Sequence, residues 1–187
     1  VFGVKESLIA KYVDKTLLHR LEILEGEKYE TISYTDSIEL LNKSSKNFEY
    51  QPKWGTDLQT EHERFLTEEY FKGPVFVINW PKEIKPFYMR VNDDEKTVSS
   101  MDLLVPIVGE LIGGSAREER LSVIRDRLEE MNLSEEEYWW HLDTRRFGSV
   151  AHAGFGVGFE RLMMLFTGIS NIRDVIPFPR TPKSLEF

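Results

Sequence analysis

Phe87-Tyr88-Met89-Arg90-Val91-Asn92-Asp93-Asp94-Glu95-Lys96-Thr97-Val98-Ser99-Ser100-Met101-Asp102-Leu103-Leu104-Val105-Pro106 reads as strand, turn, strand. Phe87 to Val91 and Thr97 to Pro106 are rich in β-formers, and Asn92 to Glu95 is a turn cluster between them. The stretch predicts a hairpin and hence antiparallel pairing. Pro74 to Trp80, just upstream, reads as a buried strand. Glu110 to Gly114, just downstream, continues as strand and ends at a glycine pair.

Outside this block the apolar spacing turns helical. Leu8, Ile9, Tyr12 and Val13, then Leu17, Leu18, Leu21 and Leu24, predict one or two helices over residues 5–25, broken by Glu25-Gly26-Glu27. Tyr29 to Tyr34 alternates as a short strand. Asp36 is placed as the N-cap of a helix carrying Ile38, Leu40 and Leu41. A polar loop follows, then a helix from Asp57 to Phe71, stopped by Gly73-Pro74. Beyond the strands, Ser115 or Ala116 opens a charged helix to Met131. Ser134-Glu135-Glu136-Glu137 reads as a capping box for a helix with Tyr138, Trp139, Trp140 and Leu142, the tryptophans in or over the core. Ala153 to Val157 is glycine-rich and leads into a helix over Phe159 to Thr167, capped by Gly168. The tail from Asp174 to Pro182 is extended. Strands in a block between helices imply an α+β fold, not an alternating doubly wound sheet.

Hydrophobic residues are 41% of 187, enough to bury a core and too many for a disordered tail. The chain is one domain or a large piece of a bigger one. Its net charge of -8 argues against a basic nucleic-acid clamp. With no cysteine, disulfides, thiolate zinc sites and cysteine nucleophiles are excluded. No apolar run reaches the roughly 18–20 residues of a membrane span. The N-terminus has neither an initiator methionine nor a signal-peptide pattern, which points to a processed, trimmed or partial chain.

Three segments carry candidate chemistry. In Gly154-Phe155-Gly156-Val157-Gly158-Phe159-Glu160-Arg161, alternate glycines leave one strand face without side chains. A flat ligand can lie there, and Arg161 would aim a cation at it from a helix start that disfavours positive charge. A glycine-rich bulge in a packed strand explains the pattern equally well. The glycine spacing is neither a dinucleotide fingerprint nor a Walker loop. In the second segment, Asp102 and Glu110 are acids among apolar residues, a costly placement unless paired or metal-bound. Two carboxylates beside phosphates suit magnesium, and Arg117 suits bidentate recognition. A single salt bridge from Glu110 to an arginine is the simpler account. The third segment, Trp80 to Arg90, sets Lys85 and Tyr88 in the approach to an edge strand. His152 precedes the glycine strand; His19, His62 and His141 read as solvated helix positions.

The three segments occur together and in order, and as a set they resemble the class II aminoacyl-tRNA synthetases of the aspartate, asparagine and lysine subgroup. Gly154 to Arg161, with Leu162-Met163-Met164-Leu165 behind it and Asn171 to Arg180 beyond, is similar to the family's motif 3, here at 154–165. Gly109 to Ser115 with Arg117-Glu118-Glu119-Arg120, Trp139-Trp140, Arg145 to Gly148 and Ile176 to Arg180 look like the asparaginyl branch. Ala116 stands where the family usually has glutamine. The resemblance implies an antiparallel sheet flanked by helices, usually dimeric. It implies ATP and Mg2+ as cofactors, asparagine as substrate and tRNA(Asn) as partner, in the cytoplasm and off the membrane. It implies Arg161 and Glu110 as catalytic residues. ATP would meet Glu110, Gly156, Gly158, Phe159, Glu160 and Arg161; the metal would meet Glu110 and Asp102. The amino acid would meet Arg117, Gly113, His152 and Tyr88, and Lys85 is a weaker match.

The same resemblance makes residues 1–187 the C-terminal part of a catalytic domain. Motif 1, motif 2 and the anticodon-binding barrel are expected upstream of residue 1. An isolated chain is then expected to form adenylate poorly or not at all. An aspartyl enzyme, a tRNA-independent asparagine synthetase and a non-catalytic binding module remain alternatives. An arginine suits a carboxylate as well as an amide, so Arg117 does not choose between asparagine and aspartate.

Overall fold

The computed structural model describes residues 11–12, 15–26 and 29–183. The expected helix positions Leu8, Ile9 and Val13 lie outside them. The elements run α1 (Leu17–Glu25), β1 (Glu30–Ser33), α2 (Tyr34–Lys43), α3 (Thr60–Arg64), a π-helical turn (Phe65–Tyr70), β2 (Val75–Pro81) and a 3-10 turn (Lys82–Ile84). They continue with β3 (Thr97–Val105), β4 (Gly109–Ala116), α4 (Leu121–Glu130), α5 (Trp139–Arg146), β5 (Ala153–Val157), α6 (Phe159–Thr167) and a 3-10 turn (Ile172–Val175). The five strands form one sheet in sequence order. β2, β3, β4 and β5 pair antiparallel, but β1 runs parallel to β2, so the sheet is mixed. The α+β class holds. Among the described residues no helix is long and apolar enough to cross a membrane.

Both faces of the sheet are packed, as its alternating side chains require. On one, Val75, Val77 and Leu104 meet Tyr34, Ile38 and Leu41 of α2 and Leu66 of the π-helical turn. On the other, Leu103, Val105 and Leu111 meet Leu165 of α6, with Leu24 of α1 and Leu162 beside them. A third cluster joins Phe87, Ile124, Leu128 and Leu142. Leu104 is 1% exposed at the centre of the sheet. Leu104→Ala is expected to cost about 2–5 kcal/mol of unfolding free energy, read as a lower denaturation midpoint.

Several local expectations change for identifiable reasons. Phe87–Val91 is not a strand; it makes only the isolated bridges Met89–Arg117 and Val91–Val98. Its backbone is satisfied elsewhere: Arg90 N–H donates to the Ala116 carbonyl, Val91 N–H to the Glu118 carboxylate, and Tyr88 C=O accepts from Glu118 N–H. The antiparallel partner of β3 is therefore β2, across a longer connection. Ser33, not Asp36, caps α2: its Oγ accepts from Asp36 N–H at 3.0 Å. The helix expected from Asp57 starts at Thr60 and widens to a π turn at Phe65.

Ser115 and Ala116 stay in β4, Ser115 paired with Ser100 and Gly154 and Ala116 with Ala153, and the charged helix waits until Leu121. Ser134 forms no capping box. Its Oγ accepts from Glu136 N–H, and α5 begins at Trp139. Because α5 turns Leu142 inward, Trp139 and Trp140 are left 61% and 56% exposed rather than in the core. His62 is buried, not solvated: it accepts from Gln59 N–H at Nδ1, and its Nε2 lies 2.7 Å from the Tyr50 carbonyl.

Candidate active site

The register builds a strip with almost no side chains. Asp102 pairs with Gly113, and Gly113 with Gly156, so the three share one face across β3, β4 and β5. Ser100, Ser115 and Gly154 extend that face. A Cβ on Gly156 would meet no atom within 4 Å, so the strip is open above that point. A Cβ on Gly113 would lie 2.9 Å from Glu110 Oε1 and 3.3 Å from Asp102 Oδ1. Both carboxylates therefore converge on the gap that Gly113 leaves. The site is an open floor; a cleft of about 620 Å³ beside Asp36, Lys43 and Phe65 belongs to a different part of the molecule.

Each acid has a cationic partner. Asp102 is buried, and Lys85 Nζ donates to its Oδ2 at 2.7 Å while sitting 4.1 Å from the Trp80 ring centre. Burial pushes the Asp102 carboxyl above its ordinary range, against the pull of Lys85. Glu110 is half-exposed. Arg161 donates to its backbone carbonyl and stands 3.8 Å from Oε2. The Arg161 stem lies 3.5 Å from where a Gly158 Cβ would sit, which holds the guanidinium over the glycine end. Gly158 is the N-cap of α6; Glu160 supplies its first-turn acid and Phe159 stands exposed. The cation that the helix dipole disfavours is thus matched by Glu110.

One acid escaped the sequence reading. Glu63 of α3 places Oε2 2.5 Å from the position of a Gly109 Cβ, beside Glu110. Burial pushes its carboxyl up to about 7; Arg161 pulls it down, while Glu110 and Asp102 push it up. An acid on a short polar helix has the same pattern as a solvated one, so nothing in the sequence marked it. The native state then holds more protons than the unfolded chain between about 4.5 and 7. Stability should fall as pH rises through that window and level off above it. Glu63→Gln is expected to remove the fall, on the order of 1–3 kcal/mol. A melting temperature raised at pH 8 and unchanged at pH 4 would show it.

A second cluster lies at the other end of the strip. The Arg117 guanidinium centre sits 4.9 Å from the Tyr88 ring centre, donates to Ser115 Oγ, and crosses Gly154 at 2.8 Å from its Cβ position. Arg117 N–H donates to the His152 carbonyl at 2.9 Å; His152 is exposed, its Nδ1 2.8 Å from the Val150 carbonyl. Arg117, Tyr88 and His152 are thus brought together, with Gly113 between this cluster and the carboxylates. Two further residues belong here. His141, expected to be solvated, is partly buried with no partner for Nε2. Burial holds it below its ordinary pKa, helped by the charges of Arg145, His152 and Arg117. Arg145 Nε donates to the Glu118 carbonyl at 3.0 Å.

Among the described residues no group of three or more acids or histidines could hold a metal alone. Glu110 and Asp102 fit a magnesium ion only if a ligand supplies further oxygens, as polyphosphates do. The arrangement can therefore take a planar group on the glycines, a magnesium-bound polyphosphate at the carboxylates and a small polar group at Arg117.

Comparison with known proteins gives concordant findings. The family described as tRNA synthetases class II (D, K and N) matches residues 1–182. An asparagine–tRNA ligase of Nitratidesulfovibrio vulgaris is 64% identical over 180 residues, covering 96% of this chain and 39% of that protein. The asparaginyl-tRNA synthetase of Pyrococcus horikoshii complexed with asparaginyl-adenylate superposes with a TM-score of 0.80 at 38% identity, covering 94% of this chain and 41% of that one. An aspartyl-tRNA synthetase of Entamoeba histolytica gives 0.73 at 30%, covering 85% and 33%. The chain spans about two-fifths of the length of the curated relatives it matches.

Proposed function

The chain belongs to the class II tRNA synthetases (D, K and N), and from that membership we propose that it forms the C-terminal part of the catalytic domain of an asparagine–tRNA ligase. The observation that carries the proposal is the convergence of Glu110 and Asp102 on Gly113, beside the open floor at Gly156 and under Arg161. The identity to asparagine–tRNA ligases supports asparagine over aspartate.

In the first step an asparagine carboxylate oxygen attacks the α-phosphorus of ATP. A new P–O bond forms, the bond to the bridging oxygen breaks, and pyrophosphate leaves. In the second, the terminal ribose hydroxyl of tRNA(Asn) attacks the acyl carbon, AMP leaves with the bonding pair, and the hydroxyl proton passes to solvent. Gly156 and Gly158 give the adenine a floor on which a side chain would collide, and Phe159 and Glu160 border its edge. Arg161, held on the Glu110 carbonyl over the glycine end, would meet the adenine and the γ-phosphate. Such a fixed cation stabilises charge as it moves onto the leaving group. Glu110 and Asp102 would hold Mg2+, which on binding would neutralise phosphate charge. Lys85 pulls against the burial of Asp102 and fixes its carboxyl. Arg117, braced on Tyr88, holds the side-chain amide oxygen of asparagine, with Gly113 and His152 as walls. Positioning two reactants in this way supplies much of the rate. We place the whole enzyme in the cytoplasm as a homodimer, with most tRNA contacts in regions beyond this chain.

The test is ATP–pyrophosphate exchange by the protein at its natural length, with asparagine and aspartate assayed separately. Exchange driven by asparagine is the expected result. Exchange driven by aspartate alone, or by neither, would overturn the proposal.

A further inference from the structure

The turn between β3 and β4 is strained. Ile107 has φ 71°, rare for a β-branched residue, and Val108 N–H donates to the Pro106 carbonyl at 2.8 Å. That is the hydrogen bond and the positive φ of the uncommon, strained form of the γ-turn. Gly109 follows at φ 80°, and Glu110 is next. Such strain persists only where the surroundings hold it, and it gathers at functional sites.

What holds it comes from one helix. Glu68 Oε1 accepts from Ile107 N–H at 2.8 Å, and Glu63 Oε2 lies against Gly109. In a regular α-helix, residues five apart point about 140° away from each other. Here Phe65–Tyr70 is π-helical, with Phe71 N–H bonding to the Leu66 carbonyl, five residues back. Wider winding of this kind brings Glu68 round towards the side of Glu63. The same Gly109–Glu110 link is held from its far side by Arg161, through the Glu110 carbonyl.

We propose that Glu68 and Glu63 are positioning residues for Glu110. The π-helical turn lines them up on the strained turn, which sets the Glu110 carboxylate where it meets Mg2+ and the ATP phosphates. The proposal rests on the assignment of Glu110 to the magnesium–ATP site and on nothing about the amino acid. Glu68 acts through the Ile107 backbone and Glu63 through its contact with Gly109.

The experiment uses the protein at its natural length and follows ATP binding by calorimetry at stepped Mg2+ concentrations, without amino acid. Glu68→Ala removes the acceptor for Ile107 N–H. It is expected to raise the Mg2+ concentration for half-maximal ATP binding about tenfold, the scale seen when a ligand's orienting partner is lost. Glu68→Gln keeps an acceptor oxygen and should behave like the wild type. Gly109→Ala would set a methyl group 2.5 Å from Glu63 Oε2 and should reproduce the loss. The KM for asparagine should change in none of them. An unshifted magnesium requirement in Glu68→Ala would overturn the proposal. So would a Glu68→Gln variant as impaired as Glu68→Ala, or equal damage to asparagine binding. Because the titration needs no amino acid, a failure of asparagine-driven exchange in the wild type would overturn the substrate reading and leave this result standing.

Discussion

Arg161→Ala is expected to lower the rate of ATP–pyrophosphate exchange by about 10²–10³-fold, the scale on which a preorganised charge-stabilising group acts. Arg161 and Glu110 are 43% and 44% exposed, so their ion pair contributes little to folding. The loss should therefore appear in activity while the melting temperature stays near that of the wild type. Removing the cation also takes from Glu63 the charge that offsets its repulsion by Glu110 and Asp102. The Glu63 carboxyl should then be pushed higher, and the fall of stability with pH should extend further upward. Arg161→Lys keeps the charge but not the planar fork, and should recover only part of the rate. Full exchange in Arg161→Ala would remove this residue from the mechanism.

Arg117→Ala should raise the KM for asparagine by about 10²–10³-fold, typical for truncating one member of a desolvated charged hydrogen bond. The KM for ATP should hold. The split follows from geometry: Arg117 lies at the Tyr88 and Gly154 end of the strip, and Arg161 at the Gly158 end. Arg117→Lys should fail nearly as badly, because an ammonium cannot reproduce a bidentate contact or the stacking on Tyr88. Steady-state exchange with each substrate varied in turn checks both statements. Equal damage to both KM values would mean that Arg117 shapes the fold of β4 rather than a substrate contact.

Much of this was readable from residue order. Apolar runs in β2 and β3, the glycine repeat of β5 and the α6 helix with its Gly168 cap are local patterns, and the structure places them where they were expected. Such patterns survive because strand alternation and helix capping depend on near neighbours. Family membership was legible for a different reason: Glu110, Arg117 and Arg161 are chemically specific residues in a fixed order.

Tertiary structure decided what depends on distant partners. The 87–91 stretch has strand composition, yet Glu118 and Ala116 take its backbone groups, and it stays irregular. The tryptophans of α5 are apolar, yet one inward face is all the helix can bury, and Leu142 occupies it. Lys85 became the partner of Asp102, and Glu63 and Glu68 became supports of the β3–β4 turn, through contacts 17 to 46 positions apart. A sequence states which charges exist. Only the fold sets which are brought within a few ångströms in a low-dielectric site, where Coulomb and desolvation terms become large enough to matter.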